Sequence, residues 1–326
     1  MVEAVGANAE LPRAHLFGAD FLMRPWCQPL NNPVWTGEYG HVRDDDPILG
    51  LYLDRQAWAL PWWIMKNHHV GNLPFDAGPV LVTLCEMCSS SSAFRSEVDG
   101  QRLVFRLRGV YNATILLDDL ATGSLWSPFA GVALAGPMRG AVLERLPISQ
   151  CRWVEWLALH PATRVLYAEQ VMREGHGHGH SPGSPGIEPR WLTTLERPLD
   201  QRLPHNALVL SVENGASARA YPVETLASIG PVLNDSLGDK EIVLRSRPGT
   251  LQALAFDRRV GREVLVFRHS ESRGVYDEQT GSVWNEMGEA ISGPLAGTEL
   301  AYVHSGIEEW YVWAAYRPDT ELFAAR

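Results

Sequence analysis

Gly123-Ser-Leu-Trp126 recurs as Gly281-Ser-Val-Trp284, and a chain that repeats itself must fold as repeated units that bury their apolar faces in the same way. Gly136-Pro-Met-Arg-Gly140 returns as Gly293-Pro-Leu-Ala-Gly297 at nearly the same offset. Trp153-Val-Glu-Trp156 followed by His160-Pro161 returns as Trp310-Tyr-Val-Trp313 followed by Arg317-Pro318. Upstream, Ala93-Phe94 matches Ala255-Phe256, and Asn72 faces Asn234. Order and spacing are kept throughout, which describes two tandem homologous modules.

Each copy is read against the other for structure. Residues 80–84 and 242–245 are short β-branched runs suited to strands. Residues 93–98 and 102–108 flank Asp99-Gly100 and predict a β-hairpin. In the second of these runs Leu103, Phe105 and Leu107 alternate with Val104, Arg106 and Arg108, so one face is buried and the other largely polar. A second hairpin is expected around Ala121-Thr-Gly123, and its counterpart around Gln279-Thr-Gly281. Trp153, Trp156, Leu157 and His160 have the i, i+3, i+4, i+7 spacing of a short helix ending at Pro161; residues 222–229 predict another, with Pro222 in its first turn. The expected fold is mainly β (α+β with few short helices), built as two tandem homologous β-rich modules. Residues 1–56 are expected to be an N-terminal extension packing on the first module, 57–166 the first module, 167–217 a Gly/Pro/His-rich linker and 218–326 a degenerate second module.

Composition narrows function. The formal net charge of −10 and the lack of a basic run argue against nucleic acid and an anionic membrane surface. No window is long and apolar enough to span a membrane, and no basic, apolar-cored leader opens the chain. Four cysteines in 326 residues are too few for a disulfide scaffold, so a cytoplasmic protein with reduced thiols is expected. A dinucleotide fingerprint, a phosphate loop, a nucleophile elbow and a zincin motif are all missing from the sequence.

The duplication also separates structure from chemistry: framework residues should persist in both copies, whereas a site need survive in only one. Registered on Ala-Phe, Cys85 faces Arg247 and Cys88 faces Thr250; His68 faces Gly230 and His160 faces Arg317. Two thiols and two imidazoles are thus confined to the first copy. Thiolates three residues apart can bite one metal ion, with imidazole completing the shell, and Cys₂His with an open position is a catalytic arrangement. Ligand softness allows copper, iron or zinc, and copper or iron would open an oxidative reaction. The same pair also fits a thiol–disulfide couple or two small core residues. His69, beside His68, is an alternative ligand. Glu86 is a candidate general base; Tyr111 and Asn112 are candidates for orienting a ligand. Arg106 and Arg108 read as salt-bridging residues on a polar strand face. His176, His178 and His180 alternate with glycine and read as a solvated linker able to gather metal weakly.

Taken in order, His68, Asn72, Cys85, Cys88, Ala93-Phe94, Tyr111-Asn112, Thr122-Gly-Ser-Leu-Trp126, Gly136-Pro137, Trp153, Trp156 and His160-Pro161 resemble the uncharacterised domain-of-unknown-function family number 3179. The resemblance covers about residues 57–166, with a degenerate second copy over about 218–323, and implies the domain rather than any reaction. Cys-Pro-Leu-Cys-Gly is expected from it, where Cys85-Glu-Met-Cys88-Ser stands here. A histidine is usual before the first tryptophan of the pair, where this chain has Gln150 and Cys151; either Cys151 is the substitute ligand or the site is altered. The expectation is a metal-dependent enzyme, (oxido)reductase in type, acting on a small molecule through Cys85, Cys88 and His68, with His160 or Cys151 nearby. The alternatives are a metal-binding or metal-delivery protein without catalysis and a thiol–disulfide redox protein.

Overall fold

Strands dominate the computed structural model, which describes residues 11, 16–18, 28–169 and 189–324. The chain is mainly β, with few short helices, as its β-branched and alternating runs require. No described helix is long and apolar enough to cross a membrane. Contacts divide the chain into two compact units, one comprising Met1–Ala207 with Glu308–Pro318 and the other Leu208–Ile307 with Asp319–Arg326. The helix Trp310–Tyr316, although it ends the second sequence repeat, therefore belongs to the first unit. The boundary near residue 208 also differs from the expected linker, because Leu208–Asn214 is a buried strand paired with Ser217–Pro222.

In the first unit, Val70–Phe75, Gly78–Cys85, Ser90–Arg95 and Arg145–Leu146 form one antiparallel sheet. Val80, Val82 and Leu84 point to one face and pack with Trp62, Ile64 and Met65 of the helix Trp62–His68. Strand alternation turns Leu81, Thr83 and Cys85 to the other face, opposite Phe94, Ser92 and Ser90 respectively. A second sheet contains Phe105–Tyr111, Thr114–Asp119, Leu125–Ser127 and Val132–Ala135, with Leu103, Phe105 and Leu107 buried and Arg106 and Arg108 exposed. The hairpin expected at Asp99-Gly100 is shorter than its sequence pattern: only Glu97–Val98 and Gln101–Arg102 pair there, and Phe105–Tyr111 takes Thr114–Asp119 as its partner. A third sheet joins Ser149–Arg152, Pro47–Leu53, Gln56–Pro61, Arg164–Tyr167 and Val34–Thr36. There Gly50 is required by close approach, since a Cβ at that position would stand 2.4 Å from the ring of Trp156.

The second unit runs through a matching succession of elements, from the hairpin Leu208–Asn214 and Ser217–Pro222, through the helix Val223–Ile229, to the sheets of Lys240–Ser246 and Gly274–Asp277. Local bonds recur with the elements. Trp126 Nε1 donates to Asp119 Oδ2 at 2.9 Å, and Trp284 Nε1 donates to Asp277 Oδ2 at 2.9 Å. Gly136 and Gly293 both take positive φ, and a Cβ on either would meet the Cα of Ser124 at 2.7 Å or of Ser282 at 2.6 Å. Gly-Pro therefore marks a crossing of two loops that leaves no room for a side chain.

Candidate functional site: a buried dithiol

The strand Gly78–Cys85 turns back on itself through Glu86-Met-Cys88-Ser89 and returns as Ser90–Arg95, with Cys85 directly opposite Ser90. Ser89 closes this turn in the left-handed region, at φ 54°. The result is a tight loop that aims both sulfurs inward: Cys85 is 2% exposed and Cys88 0%. Cys88 Sγ lies 3.0 Å from Ser90 Oγ and 3.7 Å from Thr114 Oγ1, so the pair sits between the sheet and the first residue of the neighbouring strand Thr114–Asp119.

The two thiols are not equivalent. Burial alone would raise the Cys85 thiol, but hydrogen bonds from the Cys88 thiol, the Thr114 hydroxyl and the backbone N–H groups of Ile115 and Cys88 outweigh it and hold Cys85 below the ordinary thiol value. Cys88 is pushed well above that value by burial and by the neighbouring Cys85 sulfur. Of the two, Cys85 is the sulfur that ionises more readily.

Two residues that sequence reasoning missed complete the surroundings. Glu309 N–H donates to the Cys88 carbonyl at 3.0 Å, while its Oε1 accepts from the Ser89 hydroxyl at 3.2 Å. Burial raises the Glu309 carboxyl to about 8, with the charge of Cys85 adding to the rise and the Ser89 hydrogen bond opposing it. Tyr311 shares its hydroxyl proton between the carbonyls of Met87 at 3.1 Å and Ala113 at 3.4 Å, and burial, then Cys88 and Cys85, raise its phenol. Both residues lie in the second repeat, where Glu309 faces Arg152 and Tyr311 faces Val154. The register shows only that both differ from their counterparts; what brings them to the loop is the return of Glu308–Pro318 to the first unit. Gln150 is the third omission, donating through Nε2 to the Ser89 carbonyl at 2.9 Å and the Ser91 hydroxyl at 3.1 Å.

Of the candidates that the sequence offers, Cys85 and Cys88 come together, and Glu86 lies in their loop, where its charge acts on His69. His68 turns elsewhere, its Nδ1 2.7 Å from the Gln28 carbonyl, and burial lowers it. His69, in the left-handed region at φ 59°, is the imidazole beside this strand, with Nδ1 3.1 Å from the Leu84 carbonyl. His160 caps the helix Trp153–Leu159 and lies against Trp156 and Tyr52, at ring distances of 4.2 and 5.2 Å. Cys151 follows Gln150 in the extended strand Ser149–Arg152, so alternation turns it away from the loop that Gln150 binds. Tyr111 and Asn112 stand at the edge of the site. The Tyr111 hydroxyl donates to Glu196, Asn112 Oδ1 accepts from Glu196 N–H at 3.1 Å, and Thr194 Oγ1 accepts from Ala113 N–H at 2.7 Å. Burial and then Glu196 raise the Tyr111 phenol. Arg106 pairs with Asp118 at 2.9 Å. Cys27, His176, His178 and His180 lie outside the described residues.

Among the described residues, no three of histidine, cysteine, aspartate and glutamate converge in a way that could hold a metal ion. His68, His160 and Cys151, among the described residues, do not join the two sulfurs in a shell of the kind zinc, copper or iron takes.

A mainly β protein with an internally repeated framework and one buried, asymmetric Cys-x-x-Cys pair is the class that fold and site define. Residues 29–320 match the model of a family described as "Protein of unknown function (DUF3179)", and the chain belongs to that family. The match is one continuous span and extends beyond the 57–166 expected from the resemblance. No curated protein and no solved structure is matched.

Proposed function

We propose that the first unit performs thiol–disulfide exchange on a small disulfide. The observation that carries this reading is the geometry of the pair, two buried sulfurs on one tight turn with Cys88 Sγ 3.0 Å from Ser90 Oγ. Hydrogen bonds that lower Cys85 and burial that raises Cys88 go with it, and the Glu309 carboxyl, raised to about 8, is held against their loop. Cys85 thiolate attacks one sulfur of the substrate disulfide, forming a mixed disulfide and releasing one substrate thiolate. Cys88 then gives its proton to the released substrate thiolate and attacks the Cys85 sulfur. The Cys85–Cys88 disulfide forms and the second substrate thiolate leaves. The substrate gains two electrons, the protein loses two, and an external dithiol returns them. Burial of both sulfurs restricts the partner to a small molecule admitted by local opening, for which the contacts of Thr194 and Glu196 to Tyr111, Asn112 and Ala113 are the nearest latch. In a cytoplasmic setting the pair rests as the dithiol.

The test is to equilibrate untagged protein across reduced and oxidised dithiothreitol, trap with iodoacetamide and count alkylated sulfurs by mass. A Cys85–Cys88 disulfide that titrates with the buffer, and Cys85 labelling that persists in Cys88→Ser, are expected. The same samples should be assayed for copper, iron and zinc. About one equivalent of metal that disappears in Cys85→Ser/Cys88→Ser, together with no disulfide couple, would overturn the proposal in favour of a metal-dependent enzyme or a metal-delivery protein.

A further inference from the structure

In the second unit, Lys240–Ser246 lies between Val232–Leu237 and Ala253–Asp257. Val243, Leu254 and Phe256 turn to one face, into a cluster with Phe267 and Trp284. Arg245 is two residues beyond Val243 and stands directly opposite Leu254, so it shares that face. Gln252 is two residues before Leu254 and shares it too, as a diagonal neighbour of Arg245 within reach of long side chains. Both residues are buried, Arg245 at 5% exposure and Gln252 at 3%. Nε and Nη1 of Arg245, and both Nε2 and Oε1 of Gln252, are buried without a hydrogen-bond partner among the described residues. Buried polar groups of this kind are ordinarily satisfied, and a buried guanidinium most of all.

The charge balance says what would satisfy them. Burial draws the Arg245 guanidinium down to about 10, and the charge of Glu286 opposes that effect. Arg245 therefore keeps its positive charge near neutrality. Glu286 is close enough to act on it but leaves Nε and Nη1 unbonded. Arg247, two residues on and bonded through its N–H to the Gln252 carbonyl at 2.9 Å, shares that face by alternation, so two guanidiniums face one carboxylate and a monoanion brings the sum to zero. Guanidinium N–H groups match a carboxylate, whereas Gln252 Oε1 needs a donor that a bare carboxylate or a halide lacks.

We propose that Arg245 and Gln252 form the floor of a binding site for a small monocarboxylate carrying a hydroxyl or amino group beside the carboxylate. The carboxylate accepts from Arg245 and the adjacent group pairs with the Gln252 carboxamide. On Ala-Phe registration, Arg245 occupies the position of Thr83 and Gln252 that of Ser90, so this is the same sheet face on which the first unit carries its dithiol.

The test is titration calorimetry on the full chain with glycolate and with acetate, at ionic strength matched by chloride, repeated on Arg245→Met and Gln252→Met. Saturable glycolate binding is expected, at least tenfold weaker in Arg245→Met and tighter than acetate, with the glycolate–acetate gap closing in Gln252→Met. No saturable binding of either probe to the wild type, or glycolate binding that neither substitution changes, would overturn the site. If Arg245→Met does not fold, an unchanged gap in Gln252→Met overturns it alone.

Discussion

Two sheet faces of matching register carry different chemistry on the same framework. In the first unit Thr83, Cys85, Ser90 and Ser92 line the face, and it holds a dithiol. In the second, Arg245, Arg247, Gln252 and Leu254 occupy those positions. What stays constant is the loop geometry around them. The Asp119–Trp126 and Asp277–Trp284 bonds have the same length, and Thr122 and Thr280 each donate to the same aspartate, at 2.8 and 2.9 Å. The turn chemistry is the part a repeat cannot alter without losing its fold, whereas strand-end side chains are free to change.

The largest effect expected is therefore equal in both units. Trp126 and Trp284 are 1% and 2% exposed, and truncating either removes a buried ring and leaves an aspartate without its indole donor. Trp126→Ala and Trp284→Ala should each cost about 3–5 kcal/mol in the urea transition of their own unit. A nearly neutral Trp284→Ala would break the comparison, because the second framework would then not be packed as the first is.

Glu309 should distinguish the units by pH. Its carboxyl ordinarily titrates near 4.5 and does so near about 8 in the fold, so between those values the native state holds a proton that the unfolded chain has released. Wild-type stability then falls as pH rises through that window, by on the order of 5 kcal/mol in total, and the full contribution is present only below the unfolded value. Glu309→Gln should flatten the curve, leaving the variant more stable relative to wild type at pH 9 than at pH 5. Parallel wild-type and variant curves from pH 5 to 9, measured by urea unfolding, would remove Glu309 from the account of the dithiol.

A smaller and again shared effect is expected at Asn72 and Asn234. Each reaches across to one phenylalanine of the neighbouring sheet, accepting from its N–H at 2.9 Å and donating to its carbonyl, Phe105 at 2.9 Å and Phe267 at 2.8 Å. Asn72→Ala and Asn234→Ala each strand a backbone N–H, and about 1–3 kcal/mol should be lost. Asn72 also donates to Asn31 at 2.8 Å, so its loss should be the larger of the two by urea unfolding.

The repeated, local features were legible because they are written in short sequence patterns. Thr-Gly-Ser-x-Trp and Gly-Pro report loops whose bonds close within a few residues or need a missing Cβ. The mainly β fold follows from the same patterns. The helix Trp62–His68 was not legible, since Trp62, Trp63, Ile64 and Met65 are all buried and an all-round apolar run has no helical stripe to read. Choosing between His68 and His69 required the left-handed backbone at His69, which non-glycine residues seldom adopt and no motif announced. Cys151 illustrates the opposite case: strand alternation alone separates it from Gln150, which is the residue turned to the dithiol loop. Glu309 and Tyr311 are brought in by the return of the chain to the first unit, a long-range contact that no window of sequence contains.

The smallest effect is the one that touches the dithiol alone. Thr114 begins the strand Thr114–Asp119, and its hydroxyl donates to the Cys85 sulfur, one of several bonds that outweigh burial and keep that thiol low. Thr114→Val keeps the shape and the β-branch but removes the donor. With burial unopposed at that point, the Cys85 value should rise, and the thiolate fraction near neutral pH should fall. One neutral hydrogen bond of about 1 kcal/mol corresponds to roughly a fivefold change, so iodoacetamide labelling of Cys85 should slow by that order at pH 7. The two proteins should converge at high pH, where the thiol is ionised in both. A rate deficit that persists at high pH would assign the effect to access rather than ionisation, and would take Thr114 out of the group that makes the first unit's face differ from the second's.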